Sequence, residues 1–189
     1  MDLRNRRDLE GVYRRYSRGL FNYILRRVGD HHRAEEILQE TFLRAFARAE
    51  TFDESARVST WLYRIALNLT IDFLRARRHR QHASLDARMG DGDEATRFAD
   101  AIADPDRDVL ADASRTELAE LVKAAVAELP DREQSVFLLR HYHEMTYREI
   151  ARITGLSTRT VQNCVRRAHE RLRGRLRRMG VGQEEVMER

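Results

Sequence analysis

Three small or branched residues in the last quarter of the chain, Ala151, Gly155 and Val161, stand four and then six positions apart within Tyr147 to Arg178. That spacing reads as a helix-turn-helix running into a long arginine-rich helix. Ala151 is small enough to let two helix axes approach. Gly155 ends the first helix and takes the positive φ of a tight turn. Val161 plugs the second helix onto the core, and Ser157 or Thr158 is its N-cap, a side-chain oxygen accepting an open backbone N–H. Beyond the turn, Val161, Val165, Ala168 and Leu172 share one helical face, while Thr158, Arg159, Gln162, Asn163, Arg166 and Arg167 turn outward. An apolar stripe backed by Arg, Gln and Asn suits the DNA major groove, where these side chains pair with base edges and phosphates. An ordinary helical hairpin would need neither this joint spacing nor the unbalanced charge.

Charge along the chain points the same way. Charged residues make up 35% of the 189 positions and apolar ones 42%, and the formal net charge is +4. The arginines cluster at Arg75 to Arg80 and again at Arg159 to Arg178, with an acidic stretch between, which predicts two surfaces for a polyanion. The single cysteine, Cys164, excludes an internal disulfide framework and fits a reducing compartment. It either flanks the outward face of its helix or packs beneath it. The charged N-terminal stretch is followed by no signal-type apolar core, and no run reaches the length of a membrane span. A bacterial cytoplasm is the expected location.

The first eighty residues predict three helices. Leu9, Val12, Tyr13, Tyr16, Leu20, Ile24 and Val28 recur at helical steps until Gly29 and Asp30 interrupt them. A second helix is expected from about His32 to Ala49, with Ile37, Leu38, Thr41, Phe42, Ala45 and Phe46 inward. After a loop from Phe52 to Val58, a third is expected from about Ser59 to Arg78, with Leu62, Ile65, Ala66, Leu69 and Phe73 on one side. Periodicity fades between about His82 and Asp112, where nine acids face Arg88, Arg97 and Arg107. Too few apolar residues remain there to offset the cost of ordering the backbone, so a flexible acidic linker is expected. Helical patterning resumes at Leu118, Pro130 breaks it, and Asp131 to Tyr142 leads into the helix-turn-helix. No window alternates like a strand. The expectation is an all-α protein of two small helical domains, 1–81 and 115–178, joined by the linker 82–114 and followed by a tail, 179–189.

The run AELPDREQSVFLLRHYHEMTYREIARITGLSTRTVQNCVRRAHERL resembles the promoter-reading domain of bacterial sigma factors. AEEILQETFLRAFARAETFD and STWLYRIALNLTIDFLRARRHR resemble their other principal domain. Both in order across an acidic linker resemble the extracytoplasmic-function (ECF) sigma factors, which keep only these two. The helix-turn-helix is shared by many regulators; LQETFLRAF followed by WLYRIALN is far more specific.

The resemblance implies docking of the 34–46 helix on a coiled coil of the polymerase's largest subunit, with Glu36, Gln39, Glu40 and Phe42 as the contacts. An aromatic at the spacing of Phe42 is also what a core provides. The polymerase flap, double- and single-stranded promoter DNA and an anti-sigma protein are the other implied partners. The loop from Phe52, with Asp53 and Arg57, and the start of the next helix match the family's reader of the melted minus-ten element. Asn68 stands where the family places a polar contact to an extruded base; Arg75 and Arg78, with Arg77 and Arg80 beside them, fit phosphate contacts. Trp61 belongs to this region as an anchor for the loop's exit. The C-terminal face would read the minus-thirty-five element, although Arg159, Gln162, Asn163 and Cys164 differ from residues common in the family, so base preference does not transfer. The histidine pairs lack carboxylate or thiolate companions at ligand spacing, so neither metal nor cofactor is expected.

Rival functions find less support. A repressor would need a dimerisation or sensing domain, and neither a heptad seam nor a sensor pattern is present. A small enzyme would need a nucleophilic set, a glycine-rich phosphate loop or paired metal ligands. An adaptor that binds polymerase without DNA would leave the outward arginines without a role.

Overall fold

In the computed structural model, residues 6–52, 56–85 and 113–181 are described, and every regular element among them is helical. Asp53, the core of the expected linker (86–112) and the tail from 182 lie outside the described residues. The helices are α1 (Arg6–Val28), α2 (His31–Ala47), α3 (Val58–Leu85), α4 (Ala113–Ala127), α5 (Asp131–His141), α6 (Tyr147–Thr154) and α7 (Thr158–Arg178), with a 3-10 turn at Ala49–Thr51. The chain divides into two compact units, one carrying α1 to α3 and the other α4, α5, most of α6 and α7.

In the first unit the corner between α1 and α2 is made by the two residues that interrupt the sequence pattern. Gly29 takes a φ of +74°, and its N–H donates to the Leu25 carbonyl at 2.8 Å. Asp30 then caps α2 by accepting from the Arg33 N–H at 2.9 Å. Helices α1, α2 and α3 each pack on the other two. Ala34, Ala45 and Ala66 keep the axes close, and Leu20, Tyr23, Ile24 and Leu62 fill the centre. Buried Thr41 and Thr70 donate their hydroxyls to the carbonyls one turn back, Ile37 and Ala66, both at 2.7 Å, which removes the cost of stranded polar groups.

Helix α3 corrects the expectation twice. Its buried face includes Tyr63, Leu67 and Thr70, while Ile65, Leu69 and Phe73 are only half-buried. A helix gripped by two neighbours buries a wider arc than one stripe suggests. Its backbone also stays helical to Leu85, past the expected limit, because HRQHASL holds fair helix formers and neither Gly nor Pro. On α1, Tyr13 is 46% exposed rather than inward.

In the second unit α7 packs on α5 and α4, and Val136, Leu138, Leu139, Val161 and Ala168 are fully buried. Pro130 precedes α5 as expected, and the Gln134 amide reaches back to the Val126 carbonyl at 3.1 Å, closing the end of α4. Glu133, nearly buried, pairs with the Arg171 guanidinium at 2.9 Å, tying α5 to α7.

Candidate nucleic-acid and protein interfaces

Helix α6 begins with a reciprocal cap that the sequence expectations did not include, although T-x-x-E is its sign. The Thr146 N–H donates to Glu149 Oε2 at 2.9 Å, and the Glu149 N–H donates to Thr146 Oγ1 at 3.3 Å. Gly155 has a φ of +72°, as the turn requires. The next cap is Ser157, whose hydroxyl accepts from the Thr160 N–H at 3.1 Å. Thr158 is thereby left outside the cap, exposed at the first helical position.

From there α7 has two chemically separate faces. Val161, Cys164, Val165, Ala168, Leu172 and Leu176 are buried, while Thr158, Arg159, Gln162, Asn163, Arg166 and Arg167 are exposed together. Cys164 is packed beneath the helix. Burial first, and the Glu133 carboxylate second, push its thiol up against the opposing effect of Arg132 and Arg167, which favours the thiol over the thiolate. Arg166 donates to Glu170 one turn on at 2.6 Å, so an incoming phosphate or base must displace a carboxylate. Arg148 and Arg152 are exposed one turn apart on α6, where the first helix of such a motif crosses the DNA backbone. Neither stood among the residues expected from the sequence.

On the first unit the outward line of α3 runs through Trp61, Arg64, Asn68, Asp72, Arg75 and His79 at steps of three and four. All but half-buried Trp61 are exposed. The Trp61 ring lies against half-buried Phe52, centroids 5.0 Å apart, and fixes the entry to the helix. Arg57 is exposed just before it, and Arg78 flanks the far end. The structure thus brings Arg57, Trp61, Asn68, Arg75 and Arg78 to one side of α3 and adds Arg64, a position the inward pattern gave no reason to choose. Arg77 leaves the group: half-buried, it donates to the Val28 carbonyl at 3.3 Å and closes the end of α1.

Helix α2 presents Glu36 and Gln39 outward, with Glu40 half-buried. Glu36 is held by Arg33 at 2.7 Å and Glu40 by Arg44 at 2.6 Å. Phe42 is corrected as a direct contact. It is 3% exposed, between the rings of Tyr13 and Phe46 at 4.8 and 5.7 Å, so it supports α2 from within. The exposed apolar residue is its neighbour Leu43, 64% exposed and one turn from Gln39 and Glu40 on the same side.

Residues 12–80 match sigma-70 region 2, and residues 119–172 match sigma-70, region 4. Those two regions, in that order, with every regular element among the described residues helical, define a sigma factor of the sigma-70 class. The ECF RNA polymerase sigma factor SigW of Bacillus subtilis is 34% identical over 165 residues, 86% of this chain and 85% of the relative. SigM of the same organism is 28% identical over 176 residues, 93% and 99% of the two chains. The chain belongs to the ECF sigma factors. Among solved structures, the sigma factor RpoE in complex with the anti-sigma factor NepR from Bartonella quintana has a TM-score of 0.69 at 21% identity, over 90% of this chain and 97% of that one. CnrH in complex with the cytosolic domain of CnrY has a TM-score of 0.64 at 22% identity, over 91% and 89%. Both likenesses speak for the fold. No helix among the described residues is long and apolar enough to cross a membrane.

Proposed function

We propose that this ECF sigma factor binds core RNA polymerase through the outer side of α2, with Glu36, Gln39, Glu40 and Leu43 as contacts. It directs initiation by reading promoter DNA in two physical states. The outer face of α7 enters the duplex at the minus-thirty-five element, with Arg148 and Arg152 on the backbone. The α3 line reads the melted minus-ten strand: Asn68 meets an extruded base, Phe52 and Trp61 shape the pocket beside it, and Arg57, Arg64, Arg75 and Arg78 hold phosphates. The chain carries out no bond chemistry, works in the bacterial cytoplasm and is restrained by an anti-sigma protein. The similar fold of RpoE was solved with the anti-sigma factor NepR bound, which supports that last expectation.

The observation that carries this reading is the complete division of α7 into a buried apolar face and an exposed Thr, Arg, Gln and Asn face. Run-off transcription with core polymerase on a library of candidate promoters tests it. A discrete transcript that requires this chain supports the proposal. Absence of both transcript and core binding overturns it.

A further inference from the structure

Between α4 and α7, inside the second unit, runs a groove of about 360 Å³. Ala125 and Leu129 line one side of it, and Arg171, Gly174, Arg175 and Arg178 the other. Two of these residues lack a partner that their placement calls for. Gly174 stands within the last two turns of α7, and glycine weakens a helix interior. A Cβ added there would meet nothing within 4 Å, so no neighbour requires its absence. Arg175 pairs with Glu128 through one terminal nitrogen. Its Nε–H is buried and has no acceptor among the described residues, and burying a donor without a partner is costly. A peptide backbone lying close over Gly174 and bringing an acceptor to Arg175 accounts for both.

Charge selects the kind of peptide. Arg171 and Arg175 are met by Glu133 and Glu128, and Glu170 is turned toward Arg166 at 2.6 Å. Arg177 and Arg178 add further cations in the last turn of α7, where part of their effect is to offset the helix C-terminus. The groove is positive on balance, which suits an acidic segment. One follows directly in the chain: residues 182–189, GQEEVMER, set Glu184, Glu185 and Glu188 against Arg189. Helix α7 ends in a reversal. The Gly180 N–H donates to the Arg177 carbonyl at 3.1 Å and the Val181 N–H to the Leu176 carbonyl at 3.0 Å, with Gly180 at a φ of +82°. Val181 is buried, so the chain leaves the helix held against the unit. From there Glu184 and Glu185 have a reach of roughly 10–13 Å, and the groove from Arg178 back to Arg171 spans roughly 10 Å of helix.

We infer that the α4–α7 groove is a binding site for an acidic peptide and that residues 182–189 of this same chain fill it, with carboxylates meeting the Arg175 Nε–H and Arg178. Tethering favours this occupant over a free one, because a segment joined through Val181 is present at an effective concentration on the order of 1 mM. Its consequence rests on the proposed meeting of α7 with duplex DNA. Arg167, Arg171, Gly174 and Arg178 recur at steps of four, three and four and are exposed together, so the filled groove continues the line that carries Arg167. Glu188, three residues beyond Glu185, extends the reach by roughly 10 Å, to the level of Arg167. The tail therefore competes with DNA phosphates for that line.

The test uses the full chain and two readouts. The first needs no DNA: the Arg175 Nε–H signal in nitrogen-15 NMR, identified by its loss in Arg175→Lys. It should move in Glu184→Gln/Glu185→Gln/Glu188→Gln, which neutralises the tail, and in Gly174→Leu, which fills the groove without changing any charge. The second is affinity for minus-thirty-five duplex across a salt series. With the tail at an effective ~1 mM, each variant should bind duplex about three- to ten-fold more tightly than the unaltered chain at low salt, with the difference fading as salt rises. Combining them should add nothing, since both empty the same groove. Gains that add in the combined variant make the tail a diffuse charge and overturn the inference. An Arg175 signal that ignores the tail but moves when core polymerase is added overturns it too, and gives the groove to the polymerase. If the unaltered chain holds no duplex at any salt, the proposed function of α7 fails, and the Arg175 signal alone decides whether the tail fills the groove.

Discussion

Helices α7 and α3, the two proposed to meet DNA, are held differently by their units. Helix α7 packs on α5 and α4 along one buried stripe, and its first turns stand clear behind the cap at Ser157. Helix α3 is gripped by both α1 and α2, so as far as Asp72 only a narrow line through Arg64 and Asn68 faces out, with the aromatic pair of Phe52 and Trp61 at its entry. A helix that must enter a groove about 12 Å wide needs to protrude. A surface that holds an extruded base needs a shaped floor and one edge-matching group more than it needs reach. The difference in packing therefore anticipates a difference in the state of the DNA each helix meets.

The change with the largest expected effect asks whether the α3 surface depends on its own unit alone. Phe42→Ala removes a ring enclosed by Tyr13 and Phe46, and emptying such a site costs about 3–5 kcal/mol. Urea unfolding followed through Trp61 fluorescence, with the C-terminal unit followed by its binding to minus-thirty-five duplex, should show the first transition moved to much lower urea and the second unmoved. Coincident movement of both would refute the independence of the two surfaces.

Next in size is the split between the readers themselves. Asn68→Ala should weaken binding to single-stranded minus-ten DNA roughly five- to a hundred-fold, the equivalent of about 1–3 kcal/mol for one base-edge interaction, while sparing duplex binding by α7. Arg167→Ala should do the reverse. Arg166→Ala should cost less than Arg167→Ala, because Arg166 must first give up Glu170, and an exposed pair of this kind is worth only ~0–1 kcal/mol. Equal losses from the two arginines would show that Glu170 places Arg166 for DNA rather than competing for it.

Much of this architecture was legible because periodicity and capping are local. Gly29 with Asp30, Pro130 and the turn at Gly155 each mark a boundary within a few residues of where the backbone turns. The alternatives at Ser157 and Thr158 needed the geometry of one hydroxyl. What escaped the sequence depends on contacts far apart in the chain. Arg77 closes a helix that ends 49 positions earlier; Tyr63 and Leu67 are buried because α3 has two partners. Periodicity put Phe42 inward while the resemblance made it a contact, and its packing against Tyr13 and Phe46 decides for the core. Arg64, by contrast, could have been found by extending the Asn68 and Arg75 line back by one turn.

The two units should also respond differently to acid. Behind α7, the rings of His141 and His169 meet edge to face at 4.8 Å, and the His141 ring lies 4.4 Å from Phe137. Burial, then the neighbouring imidazole and Arg140, lower the pKa of His141; burial and Arg173 lower that of His169, partly opposed by a backbone hydrogen bond at Val165. A histidine whose folded pKa is depressed favours the folded state fully above the unfolded value, near 6.5, and loses that contribution as pH falls toward the lowered one. In the first unit, His31 and His32 are exposed beside Glu35 and Glu36 at 3.7 and 3.4 Å. Between pH 7 and 5 the C-terminal unit should lose thermal stability first, and His169→Phe should flatten that dependence. A drop of equal size in both units, unaltered by His169→Phe, would place the acid sensitivity elsewhere.

The smallest expected effect compares the corners that lead into α2 and α6. The first uses Gly29 at a φ of +74°, where no Cβ interferes. Two residues before the Thr146 cap of α6, the second places Glu144 at a φ of +49°, a conformation that costs a side-chain-bearing residue about 1–2 kcal/mol. Glycine would relieve that strain but would add backbone freedom to the unfolded chain, which returns part of the gain. Glu144→Gly should therefore stabilise the C-terminal unit by about 0.5–1 kcal/mol, read as a higher urea midpoint with the slope unchanged. Duplex affinity should stay the same, because the caps at Thr146 and Ser157 that aim α6 and α7 are untouched. If the variant is instead less stable, or holds the minus-thirty-five duplex more weakly, the Glu144 side chain makes a contribution that outweighs its strained backbone. The two corners would then differ by selection for that side chain and not by tolerance of strain.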